Sequence, residues 1–291
     1  MSEPQPPEQP TRRPHPLENR PQPPAEGQQR QRINLRLPAV APYVTYALIA
    51  INVLMFLARA FSPDVDQDIL LWGANHGESV LREGEYYRLL TSMFLHASIF
   101  DMFGSYAFPN ALHLIFNMYI LYGVGLSLER VFGHLRFIII YLLGGLAGSI
   151  LSTLFGGLDS FSVGASGAVF AILGAEFIFL YHHRVLMGAA GRARRNSLIT
   201  FGLINLLFGL AANVPGSQLR VDNWAHVGGL AGGLILAWFI SPIFNLRAHP
   251  DHPGELLGED TNPLSKRYWV VSVYATVLVV LVFIGVLGAR G

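Results

Sequence analysis

The sequence predicts an all-α, polytopic membrane bundle, and three observations lead there. The 291 residues are 52% hydrophobic and only 13% charged, about half the roughly 25% charged share of soluble domains. Mean hydropathy is +0.40. The apolar residues gather into seven stretches, 43–60, 112–128, 137–155, 163–181, 198–214, 224–244 and 269–287. Each approaches or exceeds the ~18 apolar residues that cross a hydrocarbon core as a helix.

Residues 1–40 are rich in Pro, Gln and Arg, a composition unable to bury a core, and are expected to form a disordered cytoplasmic tail. They lack the short apolar centre of a cleavable signal. Spans 1 to 6 place a six-helix core within 41–245. Span 2 ends in GVGLSLERVFG, where Glu129, Arg130 and Arg136 are expected to anchor the span 2–3 hairpin at the membrane edge. The segment VLMGAAGRARRNS reads as a basic loop suited to anionic lipid heads. Residues 246–267, rich in Pro, Gly and charge, read as a cytoplasmic linker, and 268–291 add one more transmembrane helix.

Basic residues near span ends set orientation. With the amino terminus cytoplasmic, fifteen of the 20 Lys and Arg residues fall inside. Arg82, Arg88, Arg220 and Arg290 fall outside, and Arg59 lies at a boundary. A formal net charge of +1 argues against a basic nucleic-acid face. The absence of cysteine removes thiol nucleophiles, thiolate metal sites and disulfides. No inverted pair of broken helices marks a secondary transporter, and no H-E-x-x-H pattern marks a metal site.

In this orientation spans 2, 4 and 6 all enter from the outer face. Span 2 opens with HLIFN, carrying His113 and Asn117; span 4 with VGASG, carrying Ser166; span 6 with WAHVGGLAGG, carrying His226. Each polar group sits on the order of 5 Å below its helix start. His113 and Asn117 share a helix face at i and i+4. Polar groups in hydrocarbon cost free energy unless they face a bundle interior or a wet cavity. The bland readings are a structural hydrogen-bond cluster and small-residue packing at Gly164, Ser166 and Gly167.

The chemical reading is acyl transfer to water. A serine hydroxyl becomes a nucleophile when a nearby base takes its proton, and a neutral His226 imidazole has that capacity. The oxyanion needs preorganised donors: the Asn117 amide, a His113 ring N–H, and the Ser166 amide at a helix amino terminus. A Ser–His bond of ~3 Å requires spans 4 and 6 to pack nearly backbone to backbone. Gly164, Gly167, Ala171 and the Gly228, Gly229, Gly232, Gly233 series provide that closeness.

GASG at 164–167, AH-x-GG at 225–229, H-x-x-x-N at 113–117 and G-x-x-x-E-x-x-x-G at 125–133 together resemble the signature of rhomboid intramembrane serine proteases. GEYYRLLTSMFLH at 84–96 resembles the family's long first loop. The resemblance covers roughly residues 43 to 245. It implies Ser166 as nucleophile, His226 as general base in a dyad without a carboxylate, and Asn117, His113 and the Ser166 amide as oxyanion hole. The implied reaction cleaves peptide bonds in or beside transmembrane helices of single-span or polytopic membrane-protein substrates. No metal or cofactor is implied. The expected setting is a prokaryotic plasma membrane, multi-pass, with the site near the outer face. A pseudoprotease that binds or routes membrane proteins is the alternative; such relatives are expected to lack the serine or the histidine. A channel or transporter should carry charges along a path instead.

The family's Trp-Arg pair here reads Tyr87-Arg88, expected to anchor the loop at the interface. The position four after Ser166, often tyrosine, is Phe170, which keeps the ring but not the hydroxyl. The stretch between His96 and His113 reads as an insertion. Asp222 reads as a helix cap, with orientation of His226 the less favoured role. Glu176 reads as a structural hydrogen-bonding group, and His182 and His183 as snorkelling interface residues.

Overall fold

The computed structural model describes residues 34–100, 104–106, 110–213, 221–252 and 254–291. Most of the expected tail, parts of the expected insertion (101–103 and 107–109) and the expected end of span 5 at 214 lie outside the described residues. Five described helices are long and apolar enough to cross a membrane, and two further apolar helices have 17 residues each.

The first span is α1 (Tyr43–Arg59). Pro42 precedes it without a side-chain cap, so the early amides need partners from elsewhere. The buried Glu129 carboxylate supplies them. Val44 N–H donates to Oε1 at 2.9 Å, while the Thr45 N–H and hydroxyl donate to Oε2 at 2.7 and 2.6 Å. A negative charge there also suits the helix dipole. The anchoring expected of Glu129 is thus an inward-facing cap, with His134 Nδ1 2.6 Å from Oε1.

The long first loop is ordered. In α2 (Pro63–Gly73) Pro63 takes the first position and the Ser62 hydroxyl accepts from Val65 N–H at 3.2 Å. Strand β2 (Asn75–His76), α3 (Gly77–Leu81) and α4 (Arg88–Thr91) follow. Arg88 is buried and donates to Leu71 O at 2.5 Å and Ala74 O at 3.1 Å, while Tyr87 stacks on Trp72 at 5.1 Å. The Tyr-Arg pair therefore ties the loop to the end of α2, the arginine working from inside. Arg59 at the foot of α1 is also buried, 2.8 Å from Asp66 and bonded to His96 O at 2.8 Å.

Span 2 is a continuous rod, Ala111–Phe132, but not a regular one. Between α5 (Ala111–Ile120) and α6 (Leu126–Phe132) lies a π-helical turn, Leu121–Gly125. Apolar periodicity carries no sign of it, because one widened turn leaves the composition unchanged. Gly133, at φ +78°, links α6 to α7 (His134–Gly156), a conformation that favours glycine.

Helices α7, α8 (Ser166–His182) and α10 (Asn223–Ile240) form the centre of the bundle. Their mutual approach is set by glycine. A Cβ on Gly229 would collide with Gly167 O, one on Gly233 with Ala171 O, and one on Gly144 with the Ala171 methyl. A Cβ on Gly148 would stand 2.6 Å from Ala225 O, and one on Gly228 2.7 Å from Ala147 O. Backbone-to-backbone packing expected between spans 4 and 6 is present, and span 3 joins it through Gly144 and Gly148.

The basic segment read as a loop is helical. Helix α9 runs Arg184–Ala212, kinked at Gly188 (φ 52°, ψ −133°). Its Ala, Leu, Met and Arg residues are good helix formers, so only the glycine interrupts it. Arg194 from this extension pairs with buried Glu176 of α8 through two bonds, 2.7 and 2.9 Å, the structural role expected of Glu176.

The segment read as a linker forms a hairpin, β4 (Phe244–Ala248) against β5 (Glu255–Asp260), before α11 (Tyr268–Arg290). A strand from the end of the tail, β1 (Asn34–Arg36), pairs in parallel with β5. The hairpin is fastened to the helices by side chains that local composition does not reveal. Arg136 Nη2 donates to Asp260 Oδ2 at 2.7 Å and Asn262 O at 2.6 Å. His183, expected at the interface, is buried instead. Its Nδ1–H donates to Phe179 O at 2.9 Å and its Nε2 accepts from Phe244 N–H at 3.0 Å.

Gly229→Ala is expected to destabilise the fold by about 1–3 kcal/mol, the range of overpacking. Gly202→Ala, in α9 with nothing within 4 Å, is expected to be neutral or stabilising, because Ala outranks Gly in a helix. Thermal unfolding of both variants in detergent compares them; equal Tm values would discount the close packing.

Candidate active site

The loop into α8 is fixed before the helix begins. Strand β3 (Phe161–Ser162) pairs antiparallel with β2 of the first loop. Gly164 N–H donates to Ser92 O at 3.0 Å. Gly164 has φ +135° and, two residues later, Ser166 opens α8. The first intrahelical bond is Val169 N–H to Ala165 O at 2.9 Å. The Ser166 and Gly167 amides therefore precede the hydrogen-bonded ladder, where an anion is best received.

His113 meets Ser166 across Gly164. A Cβ on Gly164 would stand 2.9 Å from His113 Cε1 and Nε2 and 3.8 Å from Ser166 Oγ. Only glycine leaves room for that imidazole. Asn117 lies one turn further along the same face, buried, and its Nδ2 donates to His113 O at 2.9 Å. That bond uses one of two amide N–H groups and leaves the other.

His226 reaches the same region from α10. Its buried ring stacks on Phe170, with centroids 4.3 Å apart and planes 14° from parallel. Phe170 follows Ser166 by four residues, so ring and hydroxyl share one face of α8. Among the described residues His226 Nδ1 has no hydrogen-bond partner, and no hydrogen bond joins Ser166 to His226. Catalytic hydrogen bonds are often long without substrate. Asp222 is the cap: its Oδ1 accepts from Ala225 N–H at 2.9 Å.

His96 went unassigned as a site residue in the sequence because it precedes span 2. It is fully buried, its ring 5.2 Å from that of His113 in an edge-on arrangement. Burial, then the proximity of His113 and Arg59, holds its imidazole well below the ordinary histidine range. It is neutral at pH 7. The only sequence signal was its place at the end of GEYYRLLTSMFLH.

A family model described as the Rhomboid domain matches residues 83–243. The chain belongs to the rhomboid family. It is 35% identical over 199 residues to rhomboid protease GluP of Bacillus subtilis (strain 168), covering 67% of this chain and 34% of that protein. It is 37% identical over 214 residues to RHOMBOID-like protein 2 of Arabidopsis thaliana, covering 72% and 59% respectively. RHOMBOID-like protein 6, mitochondrial, of the same plant is 36% identical over 169 residues, covering 58% and 48%. The match thus spans less than two thirds of these relatives. The rhomboid segment begins in the first loop and ends at β4, so it contains Ser166, His226, His113, Asn117 and His96. Family and apolar helices together make this a multi-pass membrane protein.

The neutral state of His96 gives a pH prediction. In the unfolded chain this imidazole takes up a proton near its ordinary pKa of about 6.5; in the fold it does so only at lower pH. Its contribution is complete above that value and is lost as pH falls toward the depressed folded value. Tm should drop between pH 7.5 and 5.5, and His96→Phe should drop less. Identical slopes would remove His96 as a source of the dependence.

Proposed function

We propose that this rhomboid is an intramembrane serine endopeptidase, hydrolysing peptide bonds in or next to transmembrane helices of membrane-protein substrates. The supporting observation is that three helices bring polar groups to the opening turns of α8: α8 brings Ser166, α5 sets His113 against Gly164 with Asn117 one turn along, and α10 lays His226 on Phe170.

Ser166 Oγ attacks the scissile carbonyl while His226 takes its proton. The oxyanion forms beside the free Asn117 N–H, the His113 ring N–H and the opening amides of α8. Such preorganised donors count most where water is scarce. The C–N bond then breaks as His226 returns the proton to the leaving amine. Water, deprotonated by the same imidazole, hydrolyses the acyl-serine and restores the hydroxyl. Asp222 caps α10, so the proton passes between serine and histidine alone.

The arginine distribution supports a cytoplasmic amino terminus with the site near the outer face; a plasma-membrane setting is part of the same proposal. The proposed organisation is a tail over 1–40, a six-helix core over 41–245, a connecting segment over 246–267 and an appended helix over 268–291. Retention of both Ser166 and His226 favours a protease over a binding or routing protein without cleavage.

Ser166→Ala and His226→Ala should each abolish cleavage of a single-span substrate in proteoliposomes while the protein still unfolds cooperatively, with a lower Tm for His226→Ala because it deletes a buried ring. A fluorophosphonate should label Ser166 of the wild type. Asn117→Ala should lower kcat by about 10²-fold, the loss of one oxyanion donor. An unlabelled Ser166 together with an uncut substrate would return the chain to the pseudoprotease reading.

A further inference from the structure

We infer that Asp222, held by Ser152, is a positioning residue for His226: it sets the first turn of α10 and keeps a fixed negative charge beside the imidazole. This rests on the dyad proposed above.

The geometry is a closed set of contacts at one end of α7 and α10. Asp222 Oδ1 accepts from Ala225 N–H at 2.9 Å, and its backbone carbonyl accepts from His226 N–H at 3.2 Å. Its other carboxylate oxygen accepts from the hydroxyl of Ser152, a buried residue of α7. Three residues after Ser152, Phe155 of α7 stacks on Trp224 of α10, two residues after Asp222, at 4.7 Å. One turn further in, Gly148 admits the Ala225 carbonyl. The turn carrying His226 is thus clamped to α7 on three sides.

An ordinary N-cap needs one oxygen, and Asn or Ser would serve. The second oxygen here is engaged by a buried hydroxyl, which fixes the carboxylate in place. Arg220, the nearest arginine in sequence, lies outside the described residues; among the described residues no ion pair engages Asp222. The turn it caps is the one that carries His226, whose backbone N–H bonds the Asp222 carbonyl. When Ser166 gives up its proton, His226 becomes a cation in a region of low dielectric. A fixed anion close by stabilises that cation more than the neutral ring, and so acts on the transition state.

Asp222→Asn separates charge from structure. Asn caps helices well, and its amide can donate to Ser152 with the hydroxyl reversed. The expected result is an unchanged Tm and KM with kcat lower on the order of tenfold, the scale of one charge at an effective dielectric of ~20 beyond contact distance. Ser152→Ala keeps the charge and the cap but frees the carboxylate, so a smaller fall in kcat at constant KM is expected. If wild type cleaves and Asp222→Asn retains full kcat, Asp222 is a cap only and the inference is overturned while the dyad stands. If wild type neither cleaves nor labels at Ser166, the dyad reading falls and takes this inference with it.

Discussion

The structure depends on backbone contact among α7, α8 and α10. Glycine is a poor helix residue, costing about 0.5–1 kcal/mol against alanine in a helix interior. This bundle places Gly144, Gly148, Gly228, Gly229 and Gly233 inside spans. Hydrocarbon tails offer no hydrophobic reward for helix association, so close van der Waals contact must supply it. The contact leaves no room for large side chains on the facing surfaces. Functional groups are therefore displaced to the ends of the interface, and Ser166 and His226 sit where it opens.

Much of this was legible because hydrophobic runs and glycine spacing are local signals. Six of the seven apolar stretches correspond to helices offset by a few residues, α9 starting well before its stretch, and the glycine series in span 6 foretold its approach to Ala171 and Gly167. What escaped is non-local. The π turn at Leu121–Gly125 leaves no mark in composition. The extension of α9 was hidden by its arginines, which read as loop polarity although arginine is a good helix former. The β4–β5 hairpin lay in a segment full of Pro and Gly; its anchors, Arg136 and His183, are distant in sequence. His96 and Ser152 were invisible for the same reason: each matters through a partner on another element.

Two sets of anchors hold the central helices at opposite ends. Near Ser166, the β2–β3 pair, the Gly164–Ser92 bond and the Ser152–Asp222 contact fix the loop and the first turn of α10. A helix of the length of α8 away, about 25 Å, the hairpin grips all three helices. It binds Arg136 at the start of α7, His183 at the end of α8, and Phe239 O and Ser241 O at the end of α10 through Asn262. Ser166 and His226 ride on different helices, so a slide of one along the other would separate them. Displacements of about 1 Å can cost 10²-fold in rate, and anchoring at both ends opposes that slide.

The polar residues themselves favour chemistry over a purely structural cluster. Buried polar groups in a structural network satisfy one another, because each orphan costs about 1–3 kcal/mol. Here the cluster is poorly self-satisfied. Among the described residues Asn117 bonds only to a carbonyl of its own helix, and His226 Nδ1 and both His96 ring nitrogens lack hydrogen-bond partners. Ser166 heads its helix without bonding His226. Such an arrangement is a poor way to hold helices together, a task the glycine contacts and the Glu129 cap already perform. It is an effective way to keep a hydroxyl, an imidazole and several N–H groups uncommitted around one point. In the proposed protease, a substrate peptide bond would bring the carbonyl acceptor and the leaving nitrogen that those groups lack.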